Sequence, residues 1–261
     1  MVGGTSQVRA RAWDTAFFEV PIGWVDLGGA TPDAVAEAED EARRAGIVCL
    51  YGELDPTEPA TIDLVQRLGY RTMEVAMDLD HPTNVLVDPP PCSATVRQGT
   101  VEDLPALGEQ IRAVAPWSRF AVDRRFGLSA AVALHHAWVE RAARGEDGRM
   151  LLVAETDEGI VAMATLQEGA TTPDARRPRI DLIATTGRGS GAAQALVGHA
   201  FARFGPGPSD GGPIAARNLV SLRFSEQMGY RVSGVRYLFH RWLDETDPSL
   251  PAGTTPSESG R

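Results

Sequence analysis

The stretch RIDLIATTGRGSGAAQAL, residues 179–196, is where the order of residue types first suggests chemistry. An apolar run of strand character leads into Arg188, Gly189, Ser190, Gly191, Ala192 and Ala193, and these open directly into a helical pattern. Small residues at such a turn let backbone N–H groups approach a pyrophosphate, and the following helix N-terminus adds partial positive charge. The segment therefore reads as an anion cradle. It lacks the GKS or GKT ending of a P-loop, and it does not open the first βαβ unit, where a dinucleotide-binding GxGxxG belongs. An ordinary tight turn is the competing reading.

The elements that must position this turn follow from periodicity. Upstream, TVRQG reads as a strand, and Thr100 with Asp103 forms a capping box for the helix VEDLPALGEQIRAVA. The loop PWSRFAVDRR and the helix FGLSAAVALHHAWVERAARG come next, then a hairpin, RMLLVAETDEGIVAMATLQEG, turning at Asp157-Glu158-Gly159. Downstream, AAQALVGHAFARFG is a helix, PGPSDGG a flexible loop, PIAAR a short strand, NLVSLRFSEQMG a helix and YRVSGVRYLFHRWL a long final strand.

The N-terminal part has its own pattern. Thr31-Pro32-Asp33 opens a helix that ends at Gly46, IVCLYGEL is a buried strand, PATIDLVQRLG a helix closed by Gly69, and YRTMEVAMDLD a strand. The last three of these read as a βαβ unit. DPPPCS then marks a linker, because Pro cannot donate a backbone hydrogen bond within a central strand or helix. The expected organisation is an N-terminal domain over residues 1–80, a linker over 81–94, a second domain over 95–244 and a disordered tail over 245–261.

Composition narrows the function classes. With 261 residues and 43% hydrophobic content, the chain can bury one substantial core or two modest ones. Its 25 Lys and Arg against 35 Asp and Glu leave a formal charge of -10, which opposes the phosphate attraction that nucleic-acid binding relies on. No apolar run approaches the roughly 20 residues of a membrane span, and MVGGTSQVRARAWD has no apolar signal core, so a cytoplasmic protein is expected. Cys49 and Cys92 lack metal-ligand spacing, and His135 and His136 have no third ligand at metal spacing, so no metal is expected.

One echo runs through the chain: QRLGYR near residue 70 and EQMGYR near residue 230 each end a helix with Gly and launch a strand with Tyr. Convergent helix-ending chemistry explains this, since Gly supplies the left-handed cap. So does an internal duplication, which would make the N-terminal part a partial copy of the C-terminal fold.

The order of hairpin, strand, RGxGxA turn, helix and short strand, then Asn218, Ser221 and Gly229-Tyr230 at N-x-x-S and G-Y spacing, resembles the GCN5-related N-acetyltransferase superfamily over about residues 95–243. Most members also carry a Tyr seven residues after the Asn, where this chain has Ser225. A further resemblance covers nearly the whole chain: WDTAFFEV (Trp13–Val20), RLGYRTME (Arg67–Glu74), SRF (Ser118–Phe120) and the GRGSGA turn are similar to the branch that acetylates nucleotide-linked amino sugars. The implied fold is α/β (α+β), a mixed central sheet flanked by helices with a partial copy at the N-terminus. The implied reaction moves an acetyl group from acetyl-CoA to the amine of a small acceptor, a TDP-linked 4-amino-4,6-dideoxyhexose. An aminoglycoside, another metabolite amine, a peptide N-terminus, or acyl-CoA binding without catalysis are the alternatives.

The resemblance places Glu74 as general base, acting through water, although strand alternation alone is equally consistent with a solvated face. It implies that the backbone of Leu182, Ile183 and Ala184 binds the pantetheine arm and polarises the thioester, that Arg188 to Ala193 hold the pyrophosphate, and that Asn218 contacts the cofactor arm or caps its helix. Ser225 occupies the place of the proton donor but is a far weaker acid than Tyr, so Tyr237, a water or the substrate ammonium are the other candidates. Arg119 is expected to pair with phosphate and Phe120 to lie beside a base, against a surface Arg and a core Phe. Trp13 and Phe17 are assigned to the acceptor pocket or the core. Pairing of relatives through C-terminal strands makes a homodimer the expectation.

Overall fold

The computed structural model describes residues 8–86, 92–169, 177–186 and 189–244. The expected tail, Arg188 and the Pro triplet at 89–91 lie outside them. The chain forms two compact units, one of residues 1–53, 58–71 and 239–261, the other of residues 54–57 and 72–238.

The smaller unit contains β1 (Val8–Ala10), α1 (Ala12–Phe18), β2 (Ile22–Asp26), α2 (Pro32–Arg44), most of β3 (Cys49–Leu54) and α3 (Pro59–Arg67). β1 is antiparallel to β2, and β2 runs parallel to β3 from Ile22 beside Cys49 to Asp26 beside Glu53. The crossover between these parallel strands is α2, whose Val35, Ala38 and Ala42 bury one stripe at helical spacing. Glu39 lies on the same stripe; its carboxylate is held by Arg43 at 2.8 Å and Arg241 at 3.1 Å. Residues 8–26, unread in the sequence, thus hold two strands and a helix.

The larger unit contains β4 (Arg71–His81, apart from Arg71), β5 (Thr95–Gln98), α4 (Gly108–Val114), α5 (Arg119–Val122), α6 (Gly127–Ala143), β6 (Arg149–Thr156), β7 (Gly159–Gln167), β8 (Arg179–Thr185), α7 (Ala192–Phe204), β9 (Ser209–Ala215), α8 (Leu219–Gln227) and the first part of β10 (Arg231–Trp242). Its strands stand in the order β10-β4-β9-β8-β7-β6-β5. β4 is flanked by β10 and β9.

Both faces of this sheet are covered. On one face, Leu196, Val197, Ala200 and Phe201 of α7 pack on Leu152, Ala154, Ala164 and Leu166, with Phe224 of α8 and Met228 just after it alongside. On the other, Ile111 of α4 and Val139 and Ala142 of α6 pack on Leu151, Val153 and Met163. Alternation along β6 and β7 divides the two sets. Truncating a fully buried Leu such as Leu196 costs about 2–5 kcal/mol.

Three local differences from the sequence reading have physical causes. Pro105 turns residues Val101–Leu107 into a 3-10 helix, and the capping box at Thr100 and Asp103 sits on that piece. PWSRFAVDRR is not a plain loop: it holds a 3-10 turn at Ala115–Trp117 and the short α5. β9 begins at Ser209, inside the expected flexible loop, because Asp210 and Gly211 pair with β8 on one side and β4 on the other.

The echo at residues 70 and 230 extends far beyond the glycines. α2 and α7 begin 160 positions apart (192 less 32), and the same interval separates Arg44 from Phe204, Pro59 from Leu219, Arg67 from Gln227 and Arg71 from Arg231. Both second helices close identically: Gly69 and Gly229 have φ of 90°, and Tyr70 N donates to Val65 O as Tyr230 N does to Ser225 O. A Cβ on Gly69 would lie 2.9 Å from Arg241 Nη1 and one on Gly229 2.7 Å from His81 Nε2, residues that are themselves 160 apart (241 less 81). Shared helix-ending chemistry alone does not account for that spacing.

Candidate active site

The sheet opens at β8 and β9. Among the described residues these parallel strands pair only through Arg179 with Asp210 and Ile180 with Gly211. Beyond that point β8 stays with β7, from Leu182 beside Thr165 to Thr185 beside Ala162, while β9 stays with β4 as far as Ala215 beside Ala76. Asp181 is the pivot: it is skipped in the register between β7 and β8. Its carbonyl lies where a Cβ on Gly212 would overlap it, so the strands approach closely there and diverge after. Burial pushes the Asp181 carboxyl up, against the pull of Arg179, whose Nε lies 2.5 Å away, and of Arg149.

Leu182, Ile183 and Ala184 line the β8 wall of this gap. The bulge turns Ile183 toward the α7 face and Leu182 and Ala184 toward the α4 and α6 face. Alternate residues of the stretch turn backbone N–H and C=O groups away from β7 and into the opening. β8 then leads to the glycine turn, where Gly189 and Gly191 have φ of 78° and 73°. Gly191 is the residue before α7 and supplies no side-chain cap; its carbonyl accepts from Ala195 N at 2.9 Å. Ser190 Oγ accepts from Ala192 N at 3.4 Å. Helix geometry leaves the N–H groups of Ala193 and Gln194 without intrahelical partners, aimed out of the N-terminus.

Glu74 lies on β4 just past the end of β9, where Ala216 N donates to Val75 O at 2.7 Å. Its carboxyl is faced by Arg119, through both its guanidinium and its backbone N–H, and by the guanidinium groups of Arg217 and Arg236. Burial nonetheless pushes its carboxyl above the ordinary glutamate range, the three arginines and the N–H pulling the other way. Arg236 is itself bound to Asp78 on the same strand, at 2.7 and 2.6 Å.

Around Arg119, Ser118 Oγ caps α5 by accepting from Phe120 N at 3.2 Å. The Arg119 guanidinium lies 4.7 Å from the centre of the Phe120 ring. Phe120 is 3% exposed and edge-on to Phe126, so it backs Arg119 as a core residue. Arg217 donates to three successive carbonyls, Pro116 O at 3.1 Å, Trp117 O at 2.8 Å and Ser118 O at 3.4 Å. Neither Arg217 nor Arg236 was singled out from the sequence. The one signal for Arg217 was a cation in the strand-to-helix connection beside Asn218.

Asn218 caps α8, its side chain accepting from Ser221 N at 3.2 Å, and it is buried. Ser225 lies on the buried side of α8, in the α7 layer. Tyr237 is half-buried on β10 and, by alternation from Arg236, turns to the sheet face opposite the Asp78 ion pair. Trp13 and Phe17 belong to α1 of the smaller unit, stacked with ring centres 5.3 Å apart. His135 is buried, its Nδ1 2.7 Å from Ala131 O. Among the described residues no three His, Cys, Asp or Glu cluster as a metal site, and no helix is long and apolar enough to cross a membrane.

No family model and no curated protein matches the sequence. Solved structures do match in fold. A functionally unknown conserved protein of Staphylococcus epidermidis superposes with a TM-score of 0.61 at 12% identity, over 86% of each chain. A GCN5-related N-acetyltransferase from Sphaerobacter thermophilus gives 0.57 at 16% identity, over 92% of this chain and 77% of its own. A tandem protein of that class from the clavulanic acid biosynthesis pathway gives 0.52 at 12% identity, over 87% and 77%. The fold is that of the GCN5-related N-acetyltransferases, a mixed sheet with flanking helices.

Proposed function

We propose that the protein is an acetyl-CoA-dependent N-acetyltransferase, and the observation that carries this is the parting of β8 from β9 directly before an uncapped helix N-terminus, with Glu74 at the end of β9. Acetyl-CoA fits these groups and supplies an activated thioester to an amine nucleophile. The N–H groups of Gly189 to Ala193, with Arg188 outside the described residues, hold its pyrophosphate; Leu182, Ile183 and Ala184 bind its arm and polarise the carbonyl. Glu74 takes the proton of the incoming ammonium through water, for which a raised carboxyl is suited. Ser225 and Tyr237 are the candidates for returning a proton to the sulfur, on the side of the sheet away from Glu74.

The acceptor we propose is a TDP-linked 4-amino-4,6-dideoxyhexose. The support is the resemblance of Trp13–Val20, Arg67–Glu74, Ser118–Phe120 and the glycine turn to TDP-fucosamine acetyltransferase, together with a guanidinium, Arg119, at the Glu74 carboxyl for phosphate pairing. Release of free thiol from acetyl-CoA, followed across nucleotide amino sugars, aminoglycosides and peptide amines, tests it. Turnover confined to another amine would replace the acceptor and keep the reaction. Ser225 in place of Tyr favours a second reading, an acyl-CoA-binding protein without catalysis, which predicts calorimetric binding and no thiol release with any acceptor.

A further inference from the structure

Phe120, the ring expected beside a base, is a core residue, which leaves a planar acceptor group without a partner there. Three positions earlier stands Trp117, at the end of the 3-10 turn that precedes α5. It is 37% exposed, although an indole gains by burial. Its ring is nonetheless held. The Arg217 guanidinium lies 5.6 Å from the ring centre and donates to the carbonyls of Pro116, Trp117 and Ser118, so one cation fixes both the indole and the backbone that carries it. Ser118 N on Ala115 O at 3.1 Å and the Ser118 Oγ cap of α5 secure the turn on either side. Backbone pairing locates it in the site: Arg217 follows Ala216, whose N–H meets the carbonyl of Val75, the neighbour of Glu74 on β4. Trp117 therefore stands at the end of β9, the strand that bounds the gap. The exposed Trp13 is stacked on Phe17 in the smaller unit, and the exposed Trp138 leans on His135 along α6.

We infer that Trp117 is the platform on which the nucleobase of the acceptor stacks, with Arg119, two positions on, taking the diphosphate. The inference rests on the nucleotide-linked acceptor proposed above. Every base has a π face, and an aromatic ring already held in place loses little freedom when a base settles on it. Arg217 backs one side of the indole, so base, indole and guanidinium form a stack of three planes. Trp117 ends the 3-10 turn and Arg119 opens α5, so the ring and the phosphate-pairing cation share one rigid corner. The fork of Arg217 is occupied by three carbonyls, which assigns it to holding the corner rather than to the phosphates.

The test is calorimetry with thymidine diphosphate and with pyrophosphate on the wild type, Trp117→Ala and Trp117→Phe, beside coenzyme A affinity and the NMR spectrum of the indole N–H groups. Thymidine diphosphate shifts the Trp117 indole resonance, assigned by its loss in Trp117→Phe, and pyrophosphate does not. In Trp117→Ala the Kd for thymidine diphosphate rises about 10–100-fold, the size of one base stacked on one aromatic ring, and Trp117→Phe restores most of it. Pyrophosphate and coenzyme A bind all three proteins alike, and in turnover of the nucleotide-linked acceptor the loss falls on KM. Thymidine diphosphate that fails to bind the wild type, binds Trp117→Ala undiminished, or leaves the indole resonance in place overturns the inference, as does an equal loss of coenzyme A affinity. If Trp117→Ala does not fold, the indole shift and Trp117→Phe decide. Stacking on Trp117 without turnover of any nucleotide amino sugar upholds the platform and overturns the proposed acceptor; turnover undiminished in Trp117→Ala does the reverse.

Discussion

Half-buried on β4, the carboxyl of Glu74 faces Arg119, the first residue of α5, whose guanidinium and backbone N–H pull its titration down while desolvation pushes it up further. Replacing it separates function from stability. Glu74→Gln lowers kcat by about 10²–10⁴-fold if this residue removes the ammonium proton. Because the folded carboxyl titrates above its unfolded range, the native state holds the proton more tightly there, and stability declines as pH rises through that window. The cost is fully present only above the folded titration. Glu74→Gln therefore melts at the same temperature as the wild type or higher, with the larger gain at neutral than at mildly acidic pH; melting curves in the two buffers check this.

The gap between β8 and β9 depends on Gly212. A Cβ there collides with the backbone carbonyl of Asp181, which cannot swing aside as a flexible side chain would. Gly212→Ala should destabilise the protein by about 1–3 kcal/mol, the usual cost of overpacking, and weaken acetyl-CoA binding as the strands shift. Denaturant unfolding and calorimetry measure both. Wild-type values for each would remove Gly212 from the account.

The repeated spacing bears on cofactor stoichiometry. Gly29, Thr31 and Pro32 stand 160 positions before Gly189, Gly191 and Ala192 (189 less 29), yet the first turn is already filled. Gly28 N donates to Asp26 Oδ1 at 3.1 Å, Gly29 N to Glu58 Oε2 at 2.8 Å and Ala34 N to Thr31 Oγ1 at 3.2 Å, while Pro32 has no N–H. Two carboxylates and a hydroxyl occupy the donors an anion would need. Calorimetric titration with coenzyme A should show one site per chain; two equivalent sites would contradict this reading of the first turn.

Two buried histidines set an acid limit. His81 Nδ1 accepts from Asn84 N at 2.9 Å, its ring lies against Phe201 and Tyr230, and burial pushes its titration down; burial does the same for His135. The unfolded chain takes up these protons first as pH falls. Stability is therefore present above about 6.5, the free imidazole value, and is lost as pH drops toward the folded values. His81→Gln should flatten that decline in the thermal midpoint, and an unchanged slope would show that His81 is not its source.

What could be read from the sequence was what local chemistry encodes. The strand, glycine turn and helix at 179–204, the β6–β7 hairpin and the Thr100–Asp103 capping box each carry their signal within a few residues, and each stands in the fold. β1, α1 and β2 were not legible, being short and broken by Pro21 and Gly23, and formed by pairing with one another and with β3. The start of β9 was hidden by Asp210-Gly211-Gly212, residues poor in strand propensity that are held by partners on both sides. Arg217 and Arg236 were not legible, because what they hold lies about 100 and 158 positions away. The parting of β8 and β9 is a property of pairing and leaves only Gly212 as a trace.

The most direct test of the account is thiol release from acetyl-CoA by the purified protein, with and without a TDP-linked 4-amino-4,6-dideoxyhexose, in the wild type and in Glu74→Gln. The account predicts acceptor-dependent release by the wild type and a loss of about a hundredfold or more in the variant, with acetyl-CoA binding retained in both. Acetyl-CoA binding without release from any amine, or release undiminished in Glu74→Gln, would contradict it.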